Sequence, residues 1–325
     1  MPRPRPQAED TVIRPGTLPL DTNGKQVHAH GGGIYEEDGF FYWVGASKKS
    51  AGGSALSEGI NLYRSTDLGT WTNMGMILHN TSIVAPSPGD KGYRIERPKI
   101  LKCTTKGLDK PYVMWFHLDT ASFSIRMVGT ARAASVEGPW EFVAGFQPDG
   151  EPSLDMGTYQ DPTDGTSWLV RSVDNKFAGI SQMTDDCLNT TGIVSSGPRI
   201  EGQSIFRFGG KLYLIGSHLT GWSANPQELL VTDSQTLRGA EWTSLGNPSG
   251  SSTTYESQDT FVLPYRHPDG KELPIYMGDR WNYGGPGGVP NASYVWLPMT
   301  QGGPGPFGSS ALNFSWHDEW TIGKF

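Results

Sequence analysis

The chain carries little charge, and no positive charge is concentrated beyond its first residues. Only 18% of its 325 residues are Asp, Glu, Lys or Arg, and the formal net charge at pH 7 is −7. Because no Lys/Arg cluster follows residues 1–6, neither a nucleic acid nor an anionic membrane surface is an expected partner. The longest apolar runs are only as long as a β-strand, so the sequence contains no candidate transmembrane helix.

Cysteine is also scarce, since Cys103 and Cys187 are the only two. Pairing in an oxidising compartment and two separate buried thiols are both consistent with this number. No apolar signal segment opens the sequence, and we expect that Met1 and the Pro/Arg-rich residues after it stand in place of a removed signal. Four N-x-S/T sequons are present, at Asn80, Asn189, Asn291 and Asn313. Their number favours secretion, so we expect an extracellular glycoprotein.

Glycine (43 residues), proline (24) and aromatic residues are abundant, which is typical of many short strands joined by tight turns. A turn followed by an aromatic, β-rich run recurs five times, at residues 38–45, 110–117, 164–171, 209–216 and 270–278. Five copies about 45–70 residues apart predict an all-β fold, a five-bladed β-propeller. A β-sandwich and a six-bladed propeller are the alternatives.

We expect residues 1–325 to form one catalytic domain, with residues 1–15 as a loosely ordered N-terminal extension. A propeller must protect the edge of its last blade. We therefore expect residues 315–322 to close the ring by pairing with strands near the N-terminus.

The innermost strand of each blade precedes the aromatic run and points side chains at the axis. The segments before the second to fifth copies contain, in order, Glu96, Asp155, Glu201 and the pair Gln258–Asp259. Any one of these carboxylates, taken alone, is best explained as a surface residue. The set as a whole, however, occupies corresponding positions before successive aromatic runs. A glycosidase needs such a set: an acid to protonate the leaving oxygen, and a partner for the water or the developing cation.

These segments resemble glycoside hydrolase family 43. The runs 94–99 (RIERPK) and 200–204 (IEGQS), the Asp155 segment and the strand 209–216 carry the resemblance. Residues 29–34 (AHGGGI), 95–99 (IERPK) and 257–261 (SQDTF) are similar, more narrowly, to the exo-β-1,3-galactanase branch of that family. The resemblance covers nearly the whole chain.

The resemblance implies roles for four residues. Glu201 matches the general acid, and Asp155 matches the residue that orients the sugar and tunes the pKa of the acid. Family 43 enzymes invert the anomeric centre, but residues 28–33 lack the Asp that usually serves as base on the first inner strand. Gln258 and Glu96 are placed beside the reacting carbon instead. We expect Gln258 to hold the water and Glu96 to bind sugar hydroxyls, with Glu96 as the alternative base.

Further residues are expected to bind the substrate: Asn175, Thr220, Trp222 and His30, with Trp281 and Tyr283 at outer subsites. His28 and His30 could ligate a metal, but no third ligand is identifiable, so neither a metal nor a cofactor is predicted. The resemblance implies that the protein releases galactose from β-1,3-galactan, the arabinogalactan backbone, and we expect it to be a monomer. An arabinofuranosidase or xylosidase and a non-catalytic sugar-binding propeller are the alternatives.

Overall fold

The computed structural model describes residues 8–48, 56–84, 92–302 and 312–325. A short strand, β1 (Val12–Ile13), precedes a series of antiparallel meanders. Blade 1 contains β2 (His30–Glu37), β3 (Phe40–Lys48), β4 (Ser57–Ser65) and β5 (Thr72–His79). Blade 2 contains β6 (Arg94–Lys102), β7 (Tyr112–Asp119), β8 (Met127–Ala133) and β9 (Glu141–Phe146).

Blade 3 contains β10 (Ser153–Gln160), β11 (Ser167–Val173), β12 (Phe177–Met183) and β13 (Thr190–Gly197). Blade 4 contains β14 (Glu201–Phe208), β15 (Lys211–Ser217), β16 (Gln227–Thr232) and β17 (Thr243–Gly246). Blade 5 pairs β18 (Gln258–Arg266), β19 (Glu272–Arg280) and β20 (Ser293–Pro298). The chain ends with β21 (Thr300–Gln301), β22 (Leu312–Asn313) and β23 (Trp320–Thr321).

The helical segments of the described residues are all single 3-10 turns: Asn80–Ser82, Pro148–Gly150, Thr254–Glu256, Val289–Asn291 and Ile322–Lys324. None of the helices in these parts of the chain is long and apolar enough to cross a membrane. The prediction of an all-β, five-bladed propeller is therefore confirmed, and the five aromatic runs form the second strands β3, β7, β11, β15 and β19.

The inner strands β2, β6, β10, β14 and β18 contact one another in ring order, and β18 contacts β2 to complete the circle. One hydrophobic cluster fills each interface between neighbouring blades. The cluster between blades 5 and 1 contains Trp43, whose ring centroid lies 4.9 Å from that of Trp296 and 5.2 Å from that of Trp71. The blades thus form a continuous core around an axis that is left to polar side chains.

The two ends of the chain meet as expected, because β1 pairs antiparallel with β23. Residues 1–7 of the expected extension lie outside the described residues. The rest of it packs on the fold, with Ala8 fully buried and Ile13 9% exposed in the cluster between blades 5 and 1. We expected residues 8–15 to be loosely ordered. Instead, they pack beside β23, and their apolar side chains Ala8 and Ile13 are buried.

Cys103 and Cys187 form a disulfide that links blades 2 and 3, which decides between the two sequence-based alternatives. The sequons divide into two kinds. Asn80 and Asn313 are buried, and the amide of Asn80 donates to the carbonyls of Ser57 and Tyr93. Only Asn189 and Asn291 are exposed, so two of the four sequons remain accessible to modification.

Candidate active site

A break in strand register positions the inner-strand side chains at the axial mouth. Each inner strand has one, between His30 and Gly33, Glu96 and Lys99, Ser153 and Met156, Glu201 and Ser204, and Asp259 and Phe261. A β-bulge interrupts the regular alternation of side chains and can re-aim one of them. The bulges therefore turn residues near the start of each inner strand toward a common space.

Four inner strands contribute to a cavity of about 540 Å³, which lies within the usual range for ligand sites. Glu96, Asp155, Glu201 and Gln258 all line it, so the structure brings together the four residues that the sequence singled out. They come from blades 2, 3, 4 and 5 in turn, and they are separated by up to 162 residues along the chain.

Glu201 has the properties of a proton donor. Its burial, followed by the nearby negative charge of Asp155, raises its pKa to about 8, although Arg97 and a hydrogen bond from Gln258 act in the opposite direction. The carboxyl is therefore mostly protonated at neutral pH. A carboxylic acid in this state can protonate a leaving oxygen at the pH where most enzymes work.

Asp155 lies beside this acid and accepts hydrogen bonds from two groups. Its Oδ2 accepts from Arg97 Nη2 at 2.8 Å and from the backbone N–H of Gly202 at 3.1 Å. Since Gly202 directly follows Glu201, the second contact ties Asp155 to the strand that carries the acid. The negative charge of Asp155 is in this way kept close to Glu201, where it favours the protonated form.

The side-chain amide of Gln258 makes four hydrogen bonds. Its Oε1 accepts from Arg97 Nη2 and from Trp281 Nε1, each at 2.7 Å. Its Nε2 donates to Glu201 Oε1 at 3.2 Å and to Ser217 Oγ at 2.9 Å. Guanidinium and indole groups only donate, so the reverse orientation of the amide would set donor against donor. Gln258 therefore points an N–H at the carboxyl of Glu201, and its Oε1 points toward Arg97 and Trp281.

Glu96 is surrounded by positive charge. Its Oε1 lies 3.1 Å from Lys48 Nζ and 3.3 Å from Arg94 Nη1, and its Oε2 lies 3.3 Å from His117 Nδ1. Burial alone would raise the pKa of Glu96, but these three cations outweigh it and hold the pKa well below its usual range. A carboxylate of this kind has little affinity for a proton and suits the role of a permanent acceptor for hydroxyl groups.

His117 lies between two carboxylates, with Nε2 3.2 Å from Asp119 Oδ2. Burial would lower its pKa, but hydrogen bonds to Asp119 and Glu96 raise it to about 9. Ligand atoms of Glu96, His117 and Asp155 lie within 4.8 Å of one another, a spacing that could hold a metal ion. A metal ion on this trio would have to displace the proton of His117, so its binding would weaken as the pH falls.

The predicted binding residues fall into two groups. Asn175, Trp222 and Trp281 line the cavity. Tyr283 does not, but it stacks on Trp222 with centroids 5.0 Å apart and an interplanar angle of 3°. Thr220 does not line the cavity either, because its hydroxyl is used inside its own loop, where it bonds the carbonyl of Ser223 and the amide of Asn225.

His30, which the sequence predicts to bind substrate, is not among the residues that line the cavity. His30 is fully buried and stacks on Tyr294, with centroids 5.6 Å apart and an interplanar angle of 19°. Its Nδ1 lies 3.7 Å from Asp279 Oδ2, inside the protein rather than at the cavity. The bulge of β2 begins at His30, so regular strand alternation does not describe where this side chain points.

Sequence reasoning missed Arg97, Lys48 and His117, which hold the predicted residues in place. Arg97 lies inside the run RIERPK, next to Glu96, where regular alternation would put the two on opposite faces. The bulge and a φ of 54° at Arg97 bring both to the site. Lys48 belongs to blade 1 and reaches Glu96 of blade 2, a contact that no local pattern predicts.

Comparison with known proteins shows which family this chain belongs to. A family model described as glycosyl hydrolases family 43 matches residues 32–260. No match was found among curated proteins.

Three solved structures are similar over almost the whole chain. An exo-β-1,3-galactanase from Phanerochaete chrysosporium, with β-1,3-galactotriose, is 29% identical over 96% of this chain and 70% of that one, at a TM-score of 0.83. An exo-β-1,3-galactanase from Clostridium thermocellum is 30% identical over 96% and 66%, at a TM-score of 0.84. A family 43 β-1,3-galactosidase with galactodeoxynojirimycin is 28% identical over 95% and 100%, at a TM-score of 0.80.

Proposed function

This chain belongs to glycosyl hydrolase family 43 and is a glycosidase, and from that premise we propose that it is an inverting exo-β-1,3-galactanase. It would release galactose from the non-reducing end of β-1,3-galactan. The observation that carries the proposal is Glu201, an acid with a pKa of about 8, which shares one cavity with Asp155 and Gln258.

The choice of substrate rests on the similar proteins. Two of them are described as exo-β-1,3-galactanases and one as a β-1,3-galactosidase. One of these structures is described with β-1,3-galactotriose and another with galactodeoxynojirimycin. The similarity of residues 95–99 and 257–261 to the exo-β-1,3-galactanase branch supports the same substrate. A cavity at the end of the axis suits a terminal sugar unit, which favours exo action.

In the proposed reaction, Glu201 gives its proton to the glycosidic oxygen as the bond to the anomeric carbon breaks. Asp155 maintains the proton on Glu201 until that step, because its negative charge disfavours a second anion nearby. The developing positive charge of the sugar is stabilised by the carboxylates of Asp155 and Glu96. We assign Glu96 to the sugar hydroxyls, because its low pKa makes it a strong acceptor and a weak base.

Inversion needs a water on the face opposite the acid. We assign Gln258 to hold this water. Its Nε2 donates to Glu201 in the free protein, and that N–H is released when Glu201 turns to the glycosidic oxygen. The N–H can then hold the oxygen of the attacking water. As the water oxygen bonds to the anomeric carbon, its proton passes to the ionised carboxylate of Glu96, which is a weak base and releases the proton to solvent after galactose leaves.

The test uses linear β-1,3-galactan and ¹H NMR of the first product. We expect galactose to appear first as the α-anomer. Glu201→Gln should lower kcat/KM on the polymer by about 10²–10⁴-fold, the usual contribution of a general acid. The loss should be smaller on an aryl galactoside with a good leaving group, which needs less protonation. Glu241→Gln, an exposed change on blade 4, is the matched control and should leave both rates unchanged.

Each part of the proposal can fail separately. No galactose from linear β-1,3-galactan would reject the substrate, and initial β-galactose would reject inversion. Faster release from aryl arabinofuranosides or xylosides would move the protein to another family 43 specificity. Binding of galacto-oligosaccharides without any turnover would indicate that the protein is a non-catalytic sugar-binding propeller.

We also propose that the protein is secreted. A disulfide between blades 2 and 3 persists in oxidising compartments and is uncommon in the cytosol. The exposed sequons Asn189 and Asn291 are compatible with the same location.

A further inference from the structure

Asp259 directly follows Gln258 but takes no part in the catalytic cavity. Its side chain is fully buried, and it is not among the residues that line the cavity. The recurrence of acidic residues before the aromatic runs selects Asp259 together with Gln258, yet the proposed reaction uses only Gln258. A buried carboxyl in this position therefore needs a separate explanation.

The carboxyl of Asp259 is held by one hydrogen bond. Its Oδ2 accepts from Ser204 Oγ at 2.5 Å, and its Oδ1 has no hydrogen-bond partner among the described residues. Burial raises the pKa of Asp259 to about 7, although the hydrogen bond from Ser204 and the positive charges of Arg97 and Lys99 lower it. A buried carboxyl with so few partners costs stability, which favours a role in the adjoining site over one in folding.

The hydrogen bond joins the two inner strands that carry the acid and the amide. The bulge of β14 lies between Glu201 and Ser204, and the bulge of β18 begins at Asp259, directly after Gln258. Ser204 and Asp259 are both buried, so the bond is protected from water. It therefore links blade 4 to blade 5 at the two bulges that aim Glu201 and Gln258 at the cavity.

A strained turn holds the same two blades together on the other side of Gln258. Residues Thr254–Glu256 all have positive φ, at 49°, 57° and 63°, although none of them is glycine. Each adopts a backbone conformation that its Cβ disfavours, and such strain persists only where neighbouring segments enforce it. Thr254 Oγ1 donates to the carbonyl of Asn225 in blade 4 at 2.9 Å. Gln258 thus lies between two attachments of blade 5 to blade 4.

The contact between Gln258 and Glu201 is sensitive to the spacing of these blades. Gln258 Nε2 donates to Glu201 Oε1 at 3.2 Å, which is the long end of the usual range for such bonds. A separation larger by about 0.5 Å would break it. Because a displacement of about 1 Å in a reacting group can cost about 10²-fold in rate, the linkage of β14 to β18 affects catalysis directly.

We propose that Asp259 is a positioning residue for the reaction, which acts with Ser204 to keep Gln258 in contact with the acid Glu201. Asp259 itself does not touch the substrate. Its carboxyl makes the bond in either protonation state, since a serine hydroxyl both donates and accepts. The proposal rests on the proposed function for the reaction that Glu201 and Gln258 carry out.

The test removes the bond by a small change, Ser204→Ala. We measure kcat and KM on β-1,3-galactotriose and on an aryl β-galactoside with a good leaving group. On galactotriose, kcat/KM should fall about tenfold or more, through kcat rather than KM, because proton transfer depends on position. The aryl galactoside needs less protonation, so its loss should be at least about threefold smaller. A variant that merely folds less well would lose equally on both substrates.

Three further variants complete the design. Asp259→Asn keeps the size and can bond to the Ser204 hydroxyl in either orientation of its amide, so it should retain kcat/KM within about threefold. Ser204→Cys is a weaker donor of similar size and repeats the test if the alanine variant is unstable. Tyr265→Phe removes a buried hydroxyl at the far end of β18, where it donates to Glu9 Oε1 at 2.6 Å. This control should leave the ratio of the two substrates unchanged.

An unchanged kcat/KM in Ser204→Ala, or equal losses on both substrates, would overturn the proposal. An Asp259→Asn variant as impaired as Ser204→Ala would also overturn it. If the wild type hydrolyses neither substrate, the proposed function fails instead, and crystal structures of the wild type and Ser204→Ala decide. The distance from Gln258 Nε2 to Glu201 Oε1 should then exceed about 3.5 Å in the variant alone, and an unchanged distance would reject the positioning role.

Discussion

Single residues in the active site act through charges that are held in fixed positions away from water. Arg97 is only 2% exposed, and it contacts Asp155 Oδ2, Gln258 Oε1 and the carbonyl of Asp259 at 2.7–2.8 Å. One guanidinium therefore orients a carboxylate and an amide from two other blades. Its positive charge also limits the rise in the pKa of Glu201. We regard Arg97 as a positioning residue for the whole group.

The comparison of Arg97→Met with Arg97→Lys separates its geometric role from its charge. Both variants should lose about 10²-fold in kcat/KM, because reacting groups shift out of position. The rate requires protonated Glu201, whose pKa is about 8. In the wild type, kcat/KM should therefore be constant at pH values below 8 and fall at higher pH. Without the positive charge the pKa of Glu201 rises, and the alkaline limb moves to higher pH in the Met variant alone. A pH–rate profile from pH 4 to 10 measures this, and a limb that stays in place would contradict the electrostatic role.

Among the structural elements, the inner strands do most to build the site. Each combines a regular outer half, which pairs with the aromatic second strand, and a bulge near its start. Positive φ values at Arg97 and Gly202 mark two of these bulges. A β-carbon on Gly202 would lie 2.9 Å from the carbonyl oxygen of Asp259, so only glycine fits beside the neighbouring strand there. The inner strands are therefore regular where they pack against the second strands and irregular where they line the cavity.

The disulfide is the element that links blades 2 and 3 covalently, and it closes a loop with a sequence separation of 84 residues. Cross-links of this size restrict the unfolded chain and typically stabilise a protein by about 2–4 kcal/mol. The double variant Cys103→Ser/Cys187→Ser should unfold at a lower temperature in calorimetry at a fixed scan rate. Galactose release at 25 °C should persist, since neither cysteine lines the cavity. Reduction of the wild type should give the same shift, and an unchanged melting temperature would show that the bond is dispensable.

For the whole molecule, the critical feature is the closure of the ring between its first and last blades. The aromatic cluster around Trp43 joins blades 1 and 5, and the short β1–β23 pair covers it. Trp320 belongs to this cover and donates from its indole to the carbonyl of Trp296 at 2.9 Å. The termini thus protect the interface where the ring begins and ends.

Two neighbouring residues of β1 provide a matched test of this closure. Ile13 is 9% exposed and faces the cluster, whereas Val12 is 39% exposed. Ile13→Ala should lower the free energy of unfolding by about 2–4 kcal/mol because it leaves a cavity. Val12→Ala should cost about 0.5 kcal/mol or less. Denaturant unfolding measures both, and equal effects would mean that β1 does not seal the core.

Much of this protein could be predicted from its sequence. The number of blades followed from the five aromatic runs, since each must form a buried strand and the spacing leaves room for about four strands. Glu96, Asp155, Glu201 and Gln258 were found because they occupy the same phase before each run. These signals are local. A strand with a buried face shows a regular spacing of apolar residues in the sequence, and this spacing can be recognised without knowing which strands pack against it.

Only the tertiary structure decided how these residues work. Lys48, Arg97 and His117 set the charges of the site from neighbouring blades, the bulge in β2 keeps His30 inside, and Cys103 meets Cys187 across a blade interface. The strained turn at Thr254–Glu256 likewise depends on bonds from distant segments. The physical reason is that pKa values and side-chain directions depend on distances between blades, and these arise only when the ring closes.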